Sequence, residues 1–196
     1  MPRKLIYLIG PSGSGKDSLI DAAREALARC GVHVVRRVIT RSAESKGEQA
    51  LGVSPAEFEH MVTAGEFAMH WVANGLQYGI PKLVEQQLAA GESVLVNGSR
   101  AYLPEAVQRF PNLLPIMLTV DRGVLRERLA RRGRETAREI EQRLARNDQL
   151  IAEATGWERG VVRITLLDNS SSLATTVAAL LEVLARHGIS AEAGRT

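Results

Sequence analysis

Residues 10–18 read Gly-Pro-Ser-Gly-Ser-Gly-Lys-Asp-Ser, and an apolar run from Leu5 to Ile9 leads straight into them. A helical pattern, Ser18 to Arg29, follows. Strand, glycine-rich loop and helix in that order are the setting of a phosphate-binding loop of the form G-x-x-x-x-G-K. Gly10, Gly13 and Gly15 let the backbone fold into a nest whose N–H groups point at anionic oxygens. The helix adds its positive dipole end to the same anion. Lys16 supplies a mobile charge for terminal phosphates. A glycine-rich turn that merely happens to carry a lysine leaves the apolar strand before it unexplained. The expected ATP contacts here are therefore Gly10, Pro11, Ser12, Gly13, Ser14, Gly15, Lys16, Asp17 and Ser18. One position departs from the common pattern: Asp17 stands where many such loops carry a Ser or Thr that ligates magnesium.

The rest of the chain alternates apolar runs with helical patterns. Leu5–Ile9, Val32–Ile39, Ser93–Val96, Leu113–Val120 and Val161–Leu167 read as buried strands. Ser18–Arg29, Lys82–Ala90, Leu103–Arg109, Gly123–Arg131, Glu135–Glu153 and Leu173–Arg186 read as helices. This alternation predicts an α/β fold with a central parallel five-stranded sheet flanked by helices. Ser54-Pro55 is a good N-cap and N1 pair for a short helix over Ala56–Thr63, and Pro81 is expected to open the helix after Tyr78-Gly79. Two stretches break the alternation. Residues 40–80, rich in Gly, Ser and polar side chains, predict an inserted acceptor-binding module. Residues 132–146 predict an arginine-rich lid, which must exclude water so that ATP is not simply hydrolysed. The core is then 1–39, 81–131 and 147–188 of a single domain, with a flexible tail at 189–196.

Hydrophobic residues make up 45% of the 196 and charged residues 24%, ordinary for a soluble globular domain. No apolar stretch approaches the ~20 residues of a membrane span, and no signal-peptide pattern stands at the N-terminus. Cys30 is alone, reads as a buried structural thiol, and fits a reducing cytoplasm. A homodimer is compatible with this composition. Nine arginines fall between Arg122 and Arg146, a cluster suited to bidentate contacts with phosphate. Glu127, Glu135, Glu139 and Glu141 would balance most of them on a solvated helix surface. Nucleic acid is not the expected partner, because aromatic residues are few and none interleave with the basic run.

Taken together, the chain resembles the guanylate kinase family. Gly10-Pro11-Ser12-Gly13-x-Gly15-Lys16 is similar to that family's loop. Thr40-Arg41 with Gly47-Glu48 resembles its acceptor loop, and Gly75-x-x-Tyr78-Gly79 its G-N-x-Y-G turn. Arg128-Leu129-x-x-Arg132-Gly133-x-Glu135 with Arg143-Leu144 resembles its lid. The departures are informative. Counting from Phe67, Met69 occupies the position of the Glu that reads guanine in that family. A thioether cannot accept the hydrogen bonds a guanine edge offers, which removes several kcal/mol of discrimination. The second acceptor-loop arginine is missing, with Glu44 or Lys46 nearby. Val53-Ser54-Pro55 occupies the region of the family's phosphate-binding Tyr. Its D-x-D is replaced by Asn97-Gly98-Ser99-Arg100.

Losing acids and gaining Arg100 makes the acceptor pocket more electropositive, as a second phosphate in place of a base would require. The combination GPSGSGKDS, VITR, HWVANGLQYG and VNGSRA resembles the ribose 1,5-bisphosphate phosphokinases of phosphonate utilisation. That resemblance implies transfer of the ATP γ-phosphoryl to the 1-phosphate of ribose 1,5-bisphosphate, with Mg²⁺ accompanying ATP. It also implies roles. Lys16, Arg132 and Arg143 are the expected catalytic residues, with Arg128 and Arg146 in reserve. Arg41, Tyr78, Asn97 and Arg100 are expected to bind the acceptor: Arg41 and Tyr78 its reacting phosphate, Arg100 its distal phosphate and Asn97 a ribose hydroxyl. His70 and Trp71 are expected to pack around that site. Asp168 and Asn169 lie where the family contacts adenine. With the D-x-D acids gone, Asp17 is expected to orient magnesium through water, a helix-capping role being the plain alternative.

Three other readings compete. A guanylate or other nucleoside monophosphate kinase is the nearest, and Met69 argues against GMP. An inert protein-binding module has no use for an intact phosphate loop and lid arginines. A regulatory ATPase would need a water-activating acid that does not stand out.

Overall fold

The computed structural model describes residues 3–40, 50–133, 135–157 and 163–191. The strands of the main sheet are β1 (Leu5–Ile9), β2 (Val32–Val34), β7 (Ser93–Asn97), β8 (Leu113–Thr119) and β9 (Thr165–Asp168). They run in the order β2-β7-β1-β8-β9, every pair parallel. Every residue of the central strand β1 is buried. Its pleat sends alternate side chains to opposite faces. Ile6 and Leu8 join Leu19, Ala23 and Leu27 of α1 (Lys16–Arg29) and Leu180 and Leu184 of α7 (Leu173–Arg186). Leu5, Tyr7 and Ile9 join a second core with Leu103 of α4 (Leu103–Arg109) and Val84 of α3 (Leu83–Ala89). This is the doubly covered parallel sheet that the alternation predicts.

A four-stranded sheet stands beside the main one, in the order β4-β3-β6-β5. It consists of β3 (Val38–Ile39), β4 (Leu51–Gly52), β5 (Phe67–Ala73) and β6 (Leu76–Pro81). β5 and β6 form a hairpin whose two-residue turn is Asn74-Gly75, both with positive φ (52° and 74°), the Asn-Gly signature of a type I′ turn. The helix α2 (Pro55–Thr63) begins at a capping box in which Ser54 and Glu57 exchange side-chain and backbone hydrogen bonds. Its Phe58 stacks on Phe67 at 4.8 Å beneath Val38.

Five expectations need correction. Val32–Ile39 is not one strand: β2 pairs with β7 in the main sheet and β3 pairs with β6 in the small one. The break falls at Arg36-Arg37, two cations that a strand buried on both faces cannot hold, so the chain crosses between sheets there. Pro81 ends β6 rather than opening a helix, and α3 starts at Leu83. The segment expected to form a lid, 132–146, belongs to a helical hairpin with wider bounds. α5 (Arg122–Arg132) and α6 (Ala137–Trp157) share an apolar cluster of Val120, Leu125, Leu129, Ile140 and Leu144. Asp121 caps the start of α5 and Gly133, with φ 62°, ends it. Finally, Ile189, assigned to a flexible tail, is buried in the core beside α7. Cys30 is half-buried against the same core rather than fully enclosed. Among the described residues no helix is long and apolar enough to cross a membrane.

Candidate active site

The glycine-rich loop wraps the start of α1, and three contacts hold its shape. Ser14 N–H donates to Pro11 O at 3.1 Å. The buried amide of Asn169, just after β9, donates to Ser14 O at 2.7 Å and accepts from Thr176 Oγ1 at 2.8 Å. A Cβ on Gly15 would come within 2.7 Å of Asn169 Nδ2, and Gly15 has φ 92°, so glycine is required twice over at this point. Lys16 Nζ folds back onto Gly10 O (2.7 Å) and Pro11 O (3.2 Å). Burial lowers the Lys16 pKa to about 8, against a smaller opposing pull from Asp17.

Two clefts open on either side of this helix start. The first, of about 290 Å³, is lined by Gly13, Gly15, Ser18, Arg128, Arg131, Arg132, Asn169 and Leu173. Loop backbone and three guanidinium groups thus face one space, the arrangement a nucleotide triphosphate tail demands. Arg143 is held elsewhere, by Glu135 at 2.8 Å. Arg122 and Arg126 are engaged by Glu141, and Arg122 also by Asp148, which puts those two on a balanced helix surface. Asp168 turns its carboxylate to Ser170 N–H (3.2 Å) and does not line the cleft.

The second cleft lies between α1 and the crossing segment after β2. Asp17, Arg24, Arg36, Arg37 and Asn97 line it. Asn97 Nδ2 donates to Asp17 Oδ1 at 2.8 Å, joining the end of β7 to the first turn of α1. Asn97 is 6% exposed, and its Oδ1 has no hydrogen-bond partner among the described residues. The Arg37 guanidinium sits over the Tyr78 ring at 5.1 Å. Burial pushes the Arg37 pKa down and Asp17 pulls it back up. Tyr78 stacks on Trp71 (5.7 Å, 4° between planes), and Tyr102 tilts against Trp71 at the same distance. Beneath them Tyr7 brackets the backbone of Ser99, accepting from its N–H at 3.0 Å and donating to its carbonyl at 2.9 Å. A Cβ on Gly98 would fall 2.2 Å from the Tyr7 ring, so only glycine lets the chain after Asn97 lie this close.

The predicted residues therefore separate into groups. Residues of the loop gather between the clefts, Arg128 and Arg132 face the first, and Asn97 and Asp17 face the second. Tyr78 adjoins the second cleft through Arg37. Arg100 does not line that cleft, although it is engaged by a partner of its own. Met69 is 1% exposed and packed in the apolar core, so no polar atom of β5 at that position faces an acceptor. His70 is exposed, its ring 6.4 Å from that of Phe67, while Trp71 packs against Tyr78 and Tyr102. Arg41, Glu44, Lys46 and Gly47-Glu48 lie outside the described residues. Two residues escaped the sequence reading: Arg131 in the first cleft and Arg37 in the second. The Arg36-Arg37 doublet interrupting an apolar run was the available signal for Arg37.

Hard oxygen donors suit magnesium, and Asp17 and Ser18 place a carboxylate and a hydroxyl on the first turn of α1. Among the described residues no cluster of three acidic, His or Cys side chains could hold a metal by itself. That donor set fits an ion carried in by nucleotide phosphates.

No family model matches the chain. Curated relatives do, over nearly all its length. A protein of Pseudomonas fluorescens named ribose 1,5-bisphosphate phosphokinase PhnN is 57% identical over 192 residues, covering 97% of this chain and 99% of the relative. A protein of the same name from Azotobacter vinelandii is 52% identical, covering 94% and 97%. The chain belongs to the ribose 1,5-bisphosphate phosphokinase family. Members further off include that of Agrobacterium fabrum, 40% identical over 92% of this chain and 95% of its own. Among solved structures, a guanylate kinase from Anaplasma phagocytophilum superimposes with a TM-score of 0.69 at 18% identity, covering 94% and 86% of the two chains. A gluconokinase from Sinorhizobium meliloti gives 0.52 at 23%, covering 95% and 93%. These two likenesses show the fold alone, that of P-loop kinases.

Proposed function

We propose that this kinase transfers the γ-phosphoryl group of ATP to the 1-phosphate of ribose 1,5-bisphosphate, giving ADP and 5-phospho-α-D-ribose 1-diphosphate. The observation that carries this reading is the near-complete alignment, at 57% identity, with a protein named for that substrate. The geometry supports it, because two clefts flank one phosphate loop and consecutive residues, Asp17 and Ser18, face different ones.

An oxygen of the 1-phosphate attacks the γ-phosphorus, and the bond from that phosphorus to the β–γ bridging oxygen breaks. ADP leaves with the electron pair. The attacking phosphate is already ionised at neutral pH, so the protein needs no general base. Its work is to position the groups and neutralise their charge. Loop N–H groups and Lys16 hold the β- and γ-phosphates. Lys16 must exchange its bonds to Gly10 O and Pro11 O for phosphate oxygens, and anionic phosphate favours its charged form. Arg132 and Arg128 reach the phosphate tail from α5. Arg143 joins them once its bond to Glu135 opens as α5 and α6 close over the nucleotide. Arg41 and Tyr78 bind the reacting phosphate of the acceptor. The unmatched Oδ1 of Asn97 accepts a ribose hydroxyl, and Arg100 serves the acceptor from the loop after β7. Asn169 braces the phosphate loop at the edge of the nucleotide's cleft, while the Asp168 carboxylate is engaged by Ser170 N–H. Magnesium bound to ATP would offset charge on the β- and γ-oxygens, with Ser18 as a direct ligand and Asp17 acting through water. The partners are ATP and a phosphorylated sugar, in the cytoplasm where ATP is plentiful, and the chain works as a monomer or homodimer without nucleic acid or membrane.

The test is a mixture of ribose 1,5-bisphosphate, ribose 1-phosphate, GMP and AMP with labelled ATP, resolved by ³¹P NMR. The expected product shows coupled diphosphate resonances on a sugar that keeps its 5-phosphate monoester. Turnover of GMP at a rate matching or exceeding that of ribose 1,5-bisphosphate overturns the proposal.

A further inference from the structure

The second cleft meets the phosphate helix at Asn97 and Asp17, which both line it. Asn97 ends β7, a strand buried along its whole length, and is itself 6% exposed. Its Nδ2 donates to Asp17 Oδ1 at 2.8 Å. An ionised carboxylate can only accept, so this bond fixes which way round the amide lies, with nitrogen toward Asp17 and oxygen away from it. That oxygen, Oδ1, is buried and has no hydrogen-bond partner among the described residues.

A buried amide oxygen without a donor is costly, and a ligand that brings the donor recovers the loss. The chemistry of that ligand group is narrow. A phosphate oxygen is itself an acceptor, and both Asp17 and Asn97 Oδ1 would repel it. A hydroxyl donates to Oδ1 and stays neutral beside the carboxylate. The acceptor carries free hydroxyls on C2 and C3. Its C1 phosphate reacts at the phosphate loop, where Asp17 directly follows Lys16. The 2-hydroxyl is the neighbour of that phosphate and lies on the same face of the ring as an α-1-phosphate. It can therefore meet Asn97 while the phosphate stays on the loop.

We propose that Asn97 Oδ1 reads the 2-hydroxyl of the acceptor and makes the kinase selective for ribose 1,5-bisphosphate over its 2-deoxy analogue. This rests on the acceptor reading above and deepens it, from some ribose hydroxyl to one that decides the class of sugar accepted. A site that bonds a substrate hydroxyl from a buried group rejects the analogue lacking it, because the buried partner is then left unpaired. Asp17 contributes as a positioning residue, holding the amide with its oxygen free for the sugar.

Three acceptors test it at saturating ATP: ribose 1,5-bisphosphate and its 2-deoxy and 3-deoxy analogues. With the unaltered enzyme, kcat/KM is expected to fall by about 10- to 100-fold for the 2-deoxy analogue and by no more than about threefold for the 3-deoxy one. Asn97→Leu should lower kcat/KM for ribose 1,5-bisphosphate and bring the ribose to 2-deoxyribose ratio within about threefold of unity. Asn97→Ala, which opens space rather than filling it, should do the same and serves if the leucine variant does not fold. Melting temperatures check both variants, and a merely structural role for Asn97 would weaken all three acceptors alike and leave the ratio as it was. That unchanged ratio overturns the assignment. So does near-equal use of ribose and 2-deoxyribose by the unaltered enzyme, as a water on Oδ1 would give, or a larger loss with the 3-deoxy analogue. Each of these results leaves the acceptor reading intact. Failure of the unaltered enzyme to phosphorylate ribose 1,5-bisphosphate overturns that reading, and this proposal with it, before any substitution is made.

Discussion

Asn169 is the most revealing residue to perturb, because two roles for it predict different outcomes. As an adenine contact it would read the base. The hydrogen bonds describe a strut instead: its amide donates to Ser14 O at 2.7 Å, its Oδ1 accepts from Thr176 Oγ1 at 2.8 Å, and it is 3% exposed. Asn169→Ala removes both bonds and strands a loop carbonyl and a hydroxyl away from water. A net hydrogen bond contributes about 1 kcal/mol, and an abandoned buried partner costs about 1–3 kcal/mol more. Thr176 can turn to Asp168 O or Ser172 O, each at 3.3–3.4 Å, which offsets part of its loss. The expected destabilisation is about 2–4 kcal/mol, a fall in melting temperature of about 5–15 °C for a chain of this size. Thr176→Val should cost less, because Ser14 O keeps its donor. Catalysis should suffer through the loop: KM for ATP and for GTP, assayed in parallel, should rise by the same factor, while acceptor KM at saturating nucleotide holds. A melting temperature within about 1 °C of the unaltered protein would refute the strut. So would a loss confined to ATP, which is the signature of a base contact.

Other substitutions probe the remaining parts of the site. Arg132→Ala and Arg143→Ala should each lower kcat by about 10²–10³-fold with smaller changes in KM, as loss of a transition-state donor does, and a change in KM alone would remove them from the transferring group. Asp17→Ala should raise the magnesium concentration needed for half-maximal rate, and an unchanged magnesium titration leaves Asp17 only its bond to Asn97. Lys16 gives a pH signature in the nucleotide-free protein: its folded pKa is lowered to about 8 from the model-peptide 10.5, so between these values the unfolded chain holds more protons. Stability therefore gains a component that rises with pH across that window, and urea titrations at pH 7.5, 9 and 10.5 should show it vanish in Lys16→Met. Gly98→Ala, with its Cβ 2.2 Å from the Tyr7 ring, should displace Asn97 and raise acceptor KM more than ATP KM.

Much of this architecture is legible along the chain because its causes are local. A buried strand, a nest-forming loop and a helix start are written in the fourteen consecutive residues from Leu5 to Ser18, and each strand of the main sheet is an apolar run. What escaped depends on pairing across the chain. Val32–Ile39 reads as one strand because nothing in its own sequence names two different partners, β7 for its first half and β6 for its second. Asn169 looks like a base contact until Ser14 and Gly15 are found pressed against it. The boundary expected at 146 follows the arginines. The helix itself continues to Trp157, with Ile140 and Leu144 packed on α5.

The Arg36-Arg37 doublet joins these threads. Two adjacent cations force the chain out of the main sheet, and the small sheet begins two residues after Arg36, at β3. The same break turns Arg37 inward over Tyr78, which β6 brings opposite Ile39. Topology and cleft thus have a common origin, because the residues that break the strand also line the cleft. Across the cleft, the bond from Asn97 to Asp17 ties the end of β7 to the first turn of α1. An acceptor that draws on Asn97 Oδ1 therefore pulls on the residue next to Lys16, so acceptor and nucleotide binding should be coupled. Asn97→Leu removes the link while keeping the volume, and should abolish any effect of the acceptor on the affinity for a non-hydrolysable ATP analogue measured by calorimetry. Persistence of that coupling in Asn97→Leu would show that it travels by another route.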